Sequence, residues 1–450
     1  MTRGRPGDSK WLLPGLLGVA LGLRVAVIAG LGAHTWFAGG DGPWYVQQGW
    51  LIAHASLREP LRTVGPLYPL TLAGLWRVFP GHPFPAEPLA VAAAYLTVVR
   101  LLQATIGALT AAVTYLLGRQ LELDRKSALV AAAGVGIGPA FVIEPFLIRT
   151  EPLFMACLTG AVLLFVVGER TSRLLVLALA GGVCACGALT RPVLLLFPAV
   201  LAVPLLLRGG LATGARQSGA LLLGAFLTLA PWHVWLYRET GRFLPEGFSV
   251  NFWMGSQLKG QPLDHQTFHA KERELAVSRR GFLGDALHRV SADPVGWLAR
   301  RARNILESLL QPHGTSDLGG PSVKAGIARW LRDDRSARGL FVFASAPTFW
   351  VRVLTYVFHY GGLGLALAGV WATWPRRRAW FPVYAAALYI VLVYALLVAI
   401  PRYLFPAQPF LWTLAGAGIA GRSRSGRESR EQLDGSQLGV PPPADPRESG

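Results

Sequence analysis

Long apolar runs separated by short polar turns make up most of the chain. The first run, from Trp11 to about Leu31, follows Arg3, Arg5 and Lys10 and contains about twenty residues, enough to cross a bilayer. The pattern predicts an all-α polytopic membrane protein with about ten transmembrane helices. Beyond the first run, spans are expected at about 89–117, 127–148, 153–167, 174–189, 193–207, 220–236, 350–374, 380–400 and 404–420.

Basic residues mark one side of this topology. Turns such as Arg125-Lys126 and Arg376-Arg377-Arg378 fall on the same side as the basic N-terminus. Because cytoplasmic loops carry an excess of Lys and Arg, both termini are predicted to be cytoplasmic in a multi-pass protein of the cell membrane. The first run exceeds the usual hydrophobic region of a signal peptide, which favours an uncleaved span over a cleaved leader.

Composition divides the chain into regions. Two short segments of the first outer loop, at 44–57 and 67–79, are too short to span and are expected to lie along the membrane surface. After residue 237 a long stretch has charges of both signs and no spanning run, while the C-terminus is rich in Ser, Gly and Pro. The predicted regions are an N-terminal transmembrane core at 1–237 that includes the first outer loop at 34–88, a large extracytoplasmic loop at 238–349, C-terminal transmembrane helices at 350–421, and a disordered cytoplasmic tail at 422–450.

Charge and cysteine usage narrow the function class. The chain is 52% hydrophobic and 15% charged, with a net charge of +18. The arginines fall in short clusters and in one loop instead of forming one face, which indicates contact with membrane lipids and no nucleic acid. Cys157, Cys184 and Cys186 lie inside apolar runs, so neither a disulfide framework nor a zinc cluster is expected.

The topology brings acids and bases to one membrane face. Asp41, Arg149, Glu151, Arg191 and Arg402 are all predicted at the outer ends of different spans. A single ionisable residue at a span end is often an interfacial anchor, but the set is more informative. A carboxylate that takes a proton from a hydroxyl, beside guanidinium groups that hold a phosphate, suits transfer from a phosphate-linked lipid.

Several short motifs around these residues resemble the GT-C glycosyltransferases. The resemblance is to the bacterial branch similar to protein O-mannosyltransferases, lipid A aminoarabinose transferases and rhizobial lipopolysaccharide transferases, and it extends through residue 421. It rests on Asp41 with Trp44-Tyr45, Gly65-Pro66-Leu67-Tyr68-Pro69-Leu70, Thr150-Glu151-Pro152-Leu153-Phe154, Leu189-Thr190-Arg191-Pro192, Ala230-Pro231-Trp232, Tyr237-Arg238, Gly241-Arg242-Phe243, and Arg402-Tyr403 with Pro406.

The resemblance implies an inverting transfer of a sugar from a polyprenyl-phosphate donor to an envelope glycan, lipid or protein outside the cytoplasm. It gives Asp41 the role of catalytic acid/base group or metal ligand, with Glu151 as a second acidic residue. A divalent metal is therefore a candidate cofactor, with no ligand set assigned. The expected substrate-binding residues are Trp44, Tyr45, Tyr68, Arg149, Arg191, Arg402 and Tyr403, although Trp44 also fits an interfacial aromatic belt.

One departure from the family pattern bears on the substrate. The aminoarabinose transferases have a Glu-Lys-Pro arrangement where this chain has Val64-Gly65-Pro66. An acidic metal ligand and a phosphate-holding lysine are thus absent here, which leaves the metal and the substrate open. The phosphate-holding role of that lysine could be taken by a nearby arginine. Sequence position alone suggests Arg58, Arg62 or Arg149.

Two other classes compete with an enzyme. A transporter or lipid flippase is expected to carry ionisable residues near the midplane and to show paired halves, whereas here the charges lie at span ends and no halves repeat. A noncatalytic envelope protein that kept the fold is the second alternative, suggested by the missing Glu-Lys-Pro segment.

Overall fold

The computed structural model describes residues 11–32, 41–54, 64–78, 93–208, 210–243, 245–257, 270–271, 273–274, 281–315, 317–318, 323–346 and 348–421. Within these ranges the regular structure is entirely helical. Its α-helices are Leu12–Leu31, Gly42–His54, Leu67–Trp76, Ala93–Gln120, Arg125–Ile137, Pro139–Ile143, Glu151–Thr171, Leu174–Thr190, Phe197–Arg208, Gly210–Thr240, Glu246–Ser256, Gly281–Ala292, Pro294–Leu310, Val323–Asp333, Ala337–Ala344, Phe349–Thr373, Arg377–Leu396, Pro401–Leu404 and 408–421.

Several helices are suited to a membrane, which confirms the predicted polytopic helical fold. Five described stretches are long and apolar enough to cross a bilayer, or six when a bent pair of helices is counted as one. The longest stretch, Phe349–Leu396, is interrupted by the turn Trp374–Arg376, and Tyr384 Oη lies 2.6 Å from Thr373 Oγ1 across this turn. The total of ten spans and the division into four regions stay predictions.

The predicted span at 127–148 is broken in the structure. The helix Arg125–Ile137 ends before Pro139, and the chain continues to Leu147 at a bend of 49°. Proline has no backbone N–H and its ring clashes with the preceding turn, so a straight helix cannot pass through this position. The bend directs the buried Glu144 and the hairpin that follows toward the neighbouring helices.

Small residues set the contacts between the central helices. A Cβ atom on Gly181 would lie 1.9 Å from the carbonyl oxygen of Leu221, and one on Gly224 equally close to that of Ala178. Only glycine allows this approach of Leu174–Thr190 to Gly210–Thr240, as is common between helices in membranes. Cys157 and Cys184 are free and buried in this region, as the apolar runs predict.

The two short segments of the first outer loop form helices, as expected. Gly42–His54 and Leu67–Trp76 pack closely, and a Cβ atom on Gly49 would lie 2.7 Å from the Leu72 Cβ. The Trp76 indole donates a hydrogen bond to the Val46 carbonyl (3.2 Å) and stacks on Tyr95, with ring centroids 3.8 Å apart. These contacts join the helix pair to the long helix Ala93–Gln120.

The large loop contributes helices that pack on the C-terminal part of the chain. Pro294–Leu310 is capped by Asp293, whose side chain accepts a hydrogen bond from the Gly296 N–H (2.9 Å), and the helix has an apolar face and a charged face. Arg301 donates to the Leu397 carbonyl (3.0 Å). This bond joins the loop to the end of Arg377–Leu396, beside the candidate site.

Candidate active site

Glu151 lies at the centre of the site. It is the first residue of Glu151–Thr171 and its side chain is completely buried. Its Oε1 accepts a hydrogen bond from Nη2 of Arg191 (2.5 Å) and another from Nε of Arg402, while Nη2 of Arg402 lies 3.4 Å from Oε2. A buried carboxylate is stable only when paired and hydrogen-bonded, and here two guanidinium groups meet that need.

Arg402 also contacts the second predicted acid. Its Nη1 donates to Oδ2 of Asp41 over 2.6 Å, so one guanidinium group bridges both carboxylates. The side chain of Asp41 is 48% exposed whereas that of Glu151 is 0% exposed. The two acids therefore share a partner but differ in their access to a substrate.

Short structural elements bring these groups together. Arg191 directly follows the helix Leu174–Thr190, and Arg402 lies in the single turn Pro401–Leu404. Nε of Arg191 donates to the Thr150 hydroxyl (2.7 Å), which fixes it against the residue that precedes Glu151. Separate helix ends thus meet at one point, as the predicted topology requires.

Two tyrosines hold Arg191 on its other side. Nη1 of Arg191 lies 3.3 Å from the Tyr394 hydroxyl, and the guanidinium carbon lies 5.2 Å from the ring centroid of Tyr403. The rings of Tyr394 and Tyr403 stack with centroids 4.9 Å apart. Tyr403 was predicted for the site, whereas Tyr394 was missed because it lies inside an apolar run with no distinguishing motif.

A cleft opens beside these groups. The cleft and its open mouth together hold about 650 Å³ of space. Phe248 and Asn251 of Glu246–Ser256 form the wall from the large loop, and sequence reasoning did not identify them. The polar and aromatic residues that line the cleft are Asp41, Tyr45, Thr190, Arg191, Phe248, Asn251, Tyr394, Arg402 and Tyr403.

Of the other predicted aromatic residues, Tyr45 lines the cleft, whereas Tyr68 and Trp44 lie behind Tyr45. The ring of Tyr45 meets the ring of Tyr68 edge to face at 5.0 Å. Tyr68 is buried and donates a hydrogen bond to the Gln103 side chain (2.8 Å). Trp44 packs edge-on against Tyr45, at 5.0 Å between centroids. Tyr68 and Trp44 therefore support Tyr45, and direct substrate binding by either stays a prediction.

Arg149 lies near the site but does not line the cleft. Its Nη1 and Nη2 atoms form hydrogen bonds of 3.1 and 2.9 Å with the two carboxylate oxygens of Asp317. Burial opposes the charge of Asp317, but the hydrogen bonds and positive charge of Arg149 outweigh it, and the pKa of Asp317 lies below its ordinary value. The predicted contact of Arg149 with donor phosphate stays a prediction, and Arg58 and Arg62 lie outside the described residues.

A second buried pair lies beside Arg149. Nε2 of His313 is 2.6 Å from Oε2 of Glu144, and both side chains are buried. The His313 ring also packs on Phe405, with centroids 4.3 Å apart. Sequence reasoning missed His313 and Asp317, because both lie in the large loop without a local motif.

The arrangement of the acids does not fit a divalent cation. Both oxygens of Glu151 already accept guanidinium donors, and Arg402 takes the position between Glu151 and Asp41 that a shared cation would need. The described residues contain no group of three or more His, Cys, Asp or Glu side chains arranged to hold a metal ion. No step of the proposed chemistry is therefore assigned to a metal.

Comparison with known proteins supports the resemblance found in the sequence. Residues 65–244 match the sequence model of the dolichyl-phosphate-mannose-protein mannosyltransferase family. The matched segment contains Tyr68, Glu151 and Arg191, and the resemblance to GT-C glycosyltransferases is confirmed. No curated protein matches the chain in sequence.

Solved structures of archaeal oligosaccharyltransferases are also similar to the chain. The apo oligosaccharyltransferase of Archaeoglobus fulgidus is 16% identical, with a TM-score of 0.49, and the match covers 95% of this chain and 52% of that one. The oligosaccharyltransferase AglB of the same organism, in complex with an inhibitory peptide and a dolichol-phosphate, is 13% identical, with a TM-score of 0.49 and coverage of 98% and 53%. The chain spans about half the length of these structures.

Proposed function

We propose that the protein is an inverting glycosyltransferase that moves a sugar from a polyprenyl-phosphate donor to a cell-envelope acceptor on the outer face of the membrane. One observation carries the proposal: a half-exposed carboxylate, Asp41, shares Arg402 with the buried Glu151 at the edge of a cleft. The family match supports a lipid-phosphate sugar donor, since the name of that family specifies one.

The two acids suit different roles. Among the described residues, only Arg402 bonds to the Asp41 carboxylate, through Oδ2, and Oδ1 faces the cleft as the oxygen that takes a proton. Both oxygens of Glu151 are taken and its side chain is buried. Asp41 therefore acts as the general base, and Glu151 is a positioning residue that orients Arg191 and Arg402.

The reaction follows from these roles. The acceptor hydroxyl oxygen forms a bond to the anomeric carbon, and its proton passes to Asp41. The bond from the anomeric carbon to the phosphate oxygen breaks, and its electron pair leaves with the polyprenyl phosphate. Attack on the face opposite to the leaving group inverts the configuration at that carbon.

Arg191 and Arg402 supply the positive charge on the cleft. Negative charge grows on the phosphate as it leaves, and fixed guanidinium donors stabilise that charge in a site with restricted water. Arg402 contacts both acids, so a phosphate that attracts Arg402 also alters its contact with Asp41. The acceptor is a glycan, a lipid or a protein.

The test is sugar transfer by membranes that carry Asp41→Asn. We expect a loss of about 10²–10⁴-fold, the usual contribution of a general base, with normal expression because Asp41 is half-exposed. Glu307→Gln, on the exposed side of Pro294–Leu310, is the matched control and should transfer at the wild-type rate. Full activity of Asp41→Asn at equal protein level would rule out the assigned base.

A further inference from the structure

A second cavity lies at the other end of the helices that build the candidate active site. Glu151 begins the helix Glu151–Thr171, and Glu169 near its end lines this cavity. At a rise of 1.5 Å per residue the two glutamates are separated by about 27 Å along the helix. This is close to the thickness of the hydrocarbon core of a bilayer, about 30 Å, so the cavity lies at the opposite membrane surface.

The cavity has an apolar wall and a basic rim. It is an open cavity between the helices Glu151–Thr171, Phe197–Arg208 and Arg377–Leu396, with about 1480 Å³ of space including its mouth. Leu207 is 81% exposed on this wall, where lipid chains would cover it. The apolar lining is Val166, Val203, Pro204, Leu207, Ala379 and Phe381, and the charged lining is Glu169, Arg170, Arg208 and Arg378.

Most charges of the rim are neutralised by neighbours. Arg170 pairs with Glu122 at 3.1 Å, and Arg208 pairs with Glu169 at 2.7 Å. Arg208 also donates to the backbone carbonyl of Arg378, which joins the first turn of Arg377–Leu396 to the end of Phe197–Arg208. These contacts fix the rim in one geometry.

Arg378 is the exception. Its side chain is exposed, and no carboxylate of the described residues pairs with it. The neighbouring Arg376 pairs with Glu122, and Arg377 lies over the Trp374 ring, with its guanidinium carbon 5.7 Å from the centroid. Within the described part of the chain, Arg378 is therefore the unpaired cation of the rim, beside the apolar wall.

We propose that this cavity binds an anionic phospholipid, with its phosphate on Arg378 and its acyl chains along Leu207 and Phe381. Basic pockets between transmembrane helices at the cytoplasmic surface bind anionic headgroups, and each arginine near such a surface contributes to the attraction. The adjacent apolar wall favours a lipid over free phosphate, because free phosphate has no part that would cover it. The proposal does not depend on the proposed transfer reaction.

The experiment is native mass spectrometry of the purified full-length protein with phosphatidylglycerol or phosphatidylcholine of identical acyl chains. We expect the wild type to retain phosphatidylglycerol in preference. Arg378→Gln should weaken phosphatidylglycerol binding about fivefold, the effect of one arginine at an anionic surface. Arg377→Gln is the matched control, since it removes the same charge next to the cavity but not within it, and binding should not change.

A second variant tests the apolar part of the cavity. Ala379→Trp keeps every charge and fills the space beside Phe381, so it should reduce phosphatidylglycerol binding as well. Equal losses in Arg377→Gln and Arg378→Gln would show a general surface attraction and overturn the proposal. Displacement of the lipid by inorganic phosphate in the wild type would overturn it too, because the ligand would then be the free anion.

Discussion

Arg149 and Asp317 form a two-bond ion pair across 168 residues of sequence, at 3.1 and 2.9 Å. Arg149 belongs to the hairpin that leads into Glu151, and Asp317 belongs to the large loop. The side chain of Arg149 is 3% exposed and that of Asp317 is 13% exposed. The pair therefore fixes the loop beside the residue that orients both arginines of the cleft.

Asp317→Asn should destabilise the protein. It leaves the Arg149 guanidinium buried without its carboxylate, at a cost of about 3 kcal/mol, the lower end for a broken buried pair. Thermal unfolding in detergent measures this, with Glu307→Gln on the exposed ion pair to Arg303 as the control that should not change stability. An unchanged unfolding midpoint for Asp317→Asn would contradict the role of the pair.

The Arg149–Asp317 ion pair makes the stability of the protein depend on pH. The pKa of Asp317 is lowered in the fold, so its stabilisation is complete above the unfolded value of about 3.9 and is lost as pH falls through the folded value. The difference in stability between wild type and Asp317→Asn should stay constant from about pH 8 to 5 and shrink only below about pH 4. A difference that vanishes near neutral pH would show that another group titrates there.

Glu151→Gln should reduce both activity and stability, whereas Asp41→Asn should reduce activity alone. Loss of the buried carboxylate leaves two guanidinium groups without their shared partner, so the variant should lose both transfer activity and about 3–5 kcal/mol of stability. Asp41→Asn should lower the transfer rate and leave the unfolding midpoint near the wild-type value. Paired rate and unfolding measurements on both variants separate these roles, and equal stability of the two would contradict them.

Topology alone predicted the centre of the site. Asp41, Glu151, Arg191 and Arg402 were expected together because each was predicted at an outer span end. In the structure Arg402 joins Asp41 to Glu151, and Glu151 also binds Arg191. The same reasoning included Arg149, but it cannot tell which way a side chain turns. That direction is set by Asp317, whose pairing leaves no trace in local sequence.

For the fold as well, the sequence predicted helices but not the tertiary contacts between them. The apolar runs located long helices, and the two short segments of the first outer loop are helical as expected. The bend at Gly138-Pro139 was missed because the apolar run continues through it, although proline carries the signal. Asn251 and Phe248 reach the cleft through tertiary packing of the large loop, which no periodic pattern encodes.

Removal of divalent cations should leave transfer unchanged. Arg402 already bridges Asp41 and Glu151, so the acids need no metal to hold them together. Activity in excess EDTA should equal activity without it, whereas Arg402→Gln should lose about 10²-fold or more, as when a donor to developing charge is removed. Loss of activity in EDTA that added magnesium or manganese restores would contradict this arrangement.

Gly65→Ala tests why the chain lacks the charged residues of the aminoarabinose transferases. A Cβ atom on Gly65 would lie 2.3 Å from the carbonyl oxygen of Leu189, just before Thr190 and Arg191. The backbone here has no room for a lysine side chain, and even alanine must displace the end of Leu174–Thr190, at a cost of about 1–3 kcal/mol. Because Gly65 also lines the cleft, transfer activity should fall together with the unfolding midpoint.

Gly74→Ala is the matched control for this prediction. Its Cβ atom would meet nothing within 4 Å, and alanine at this exposed helical position should raise the stability by up to about 1 kcal/mol. If Gly65→Ala is as stable and active as Gly74→Ala, close packing does not explain the missing lysine.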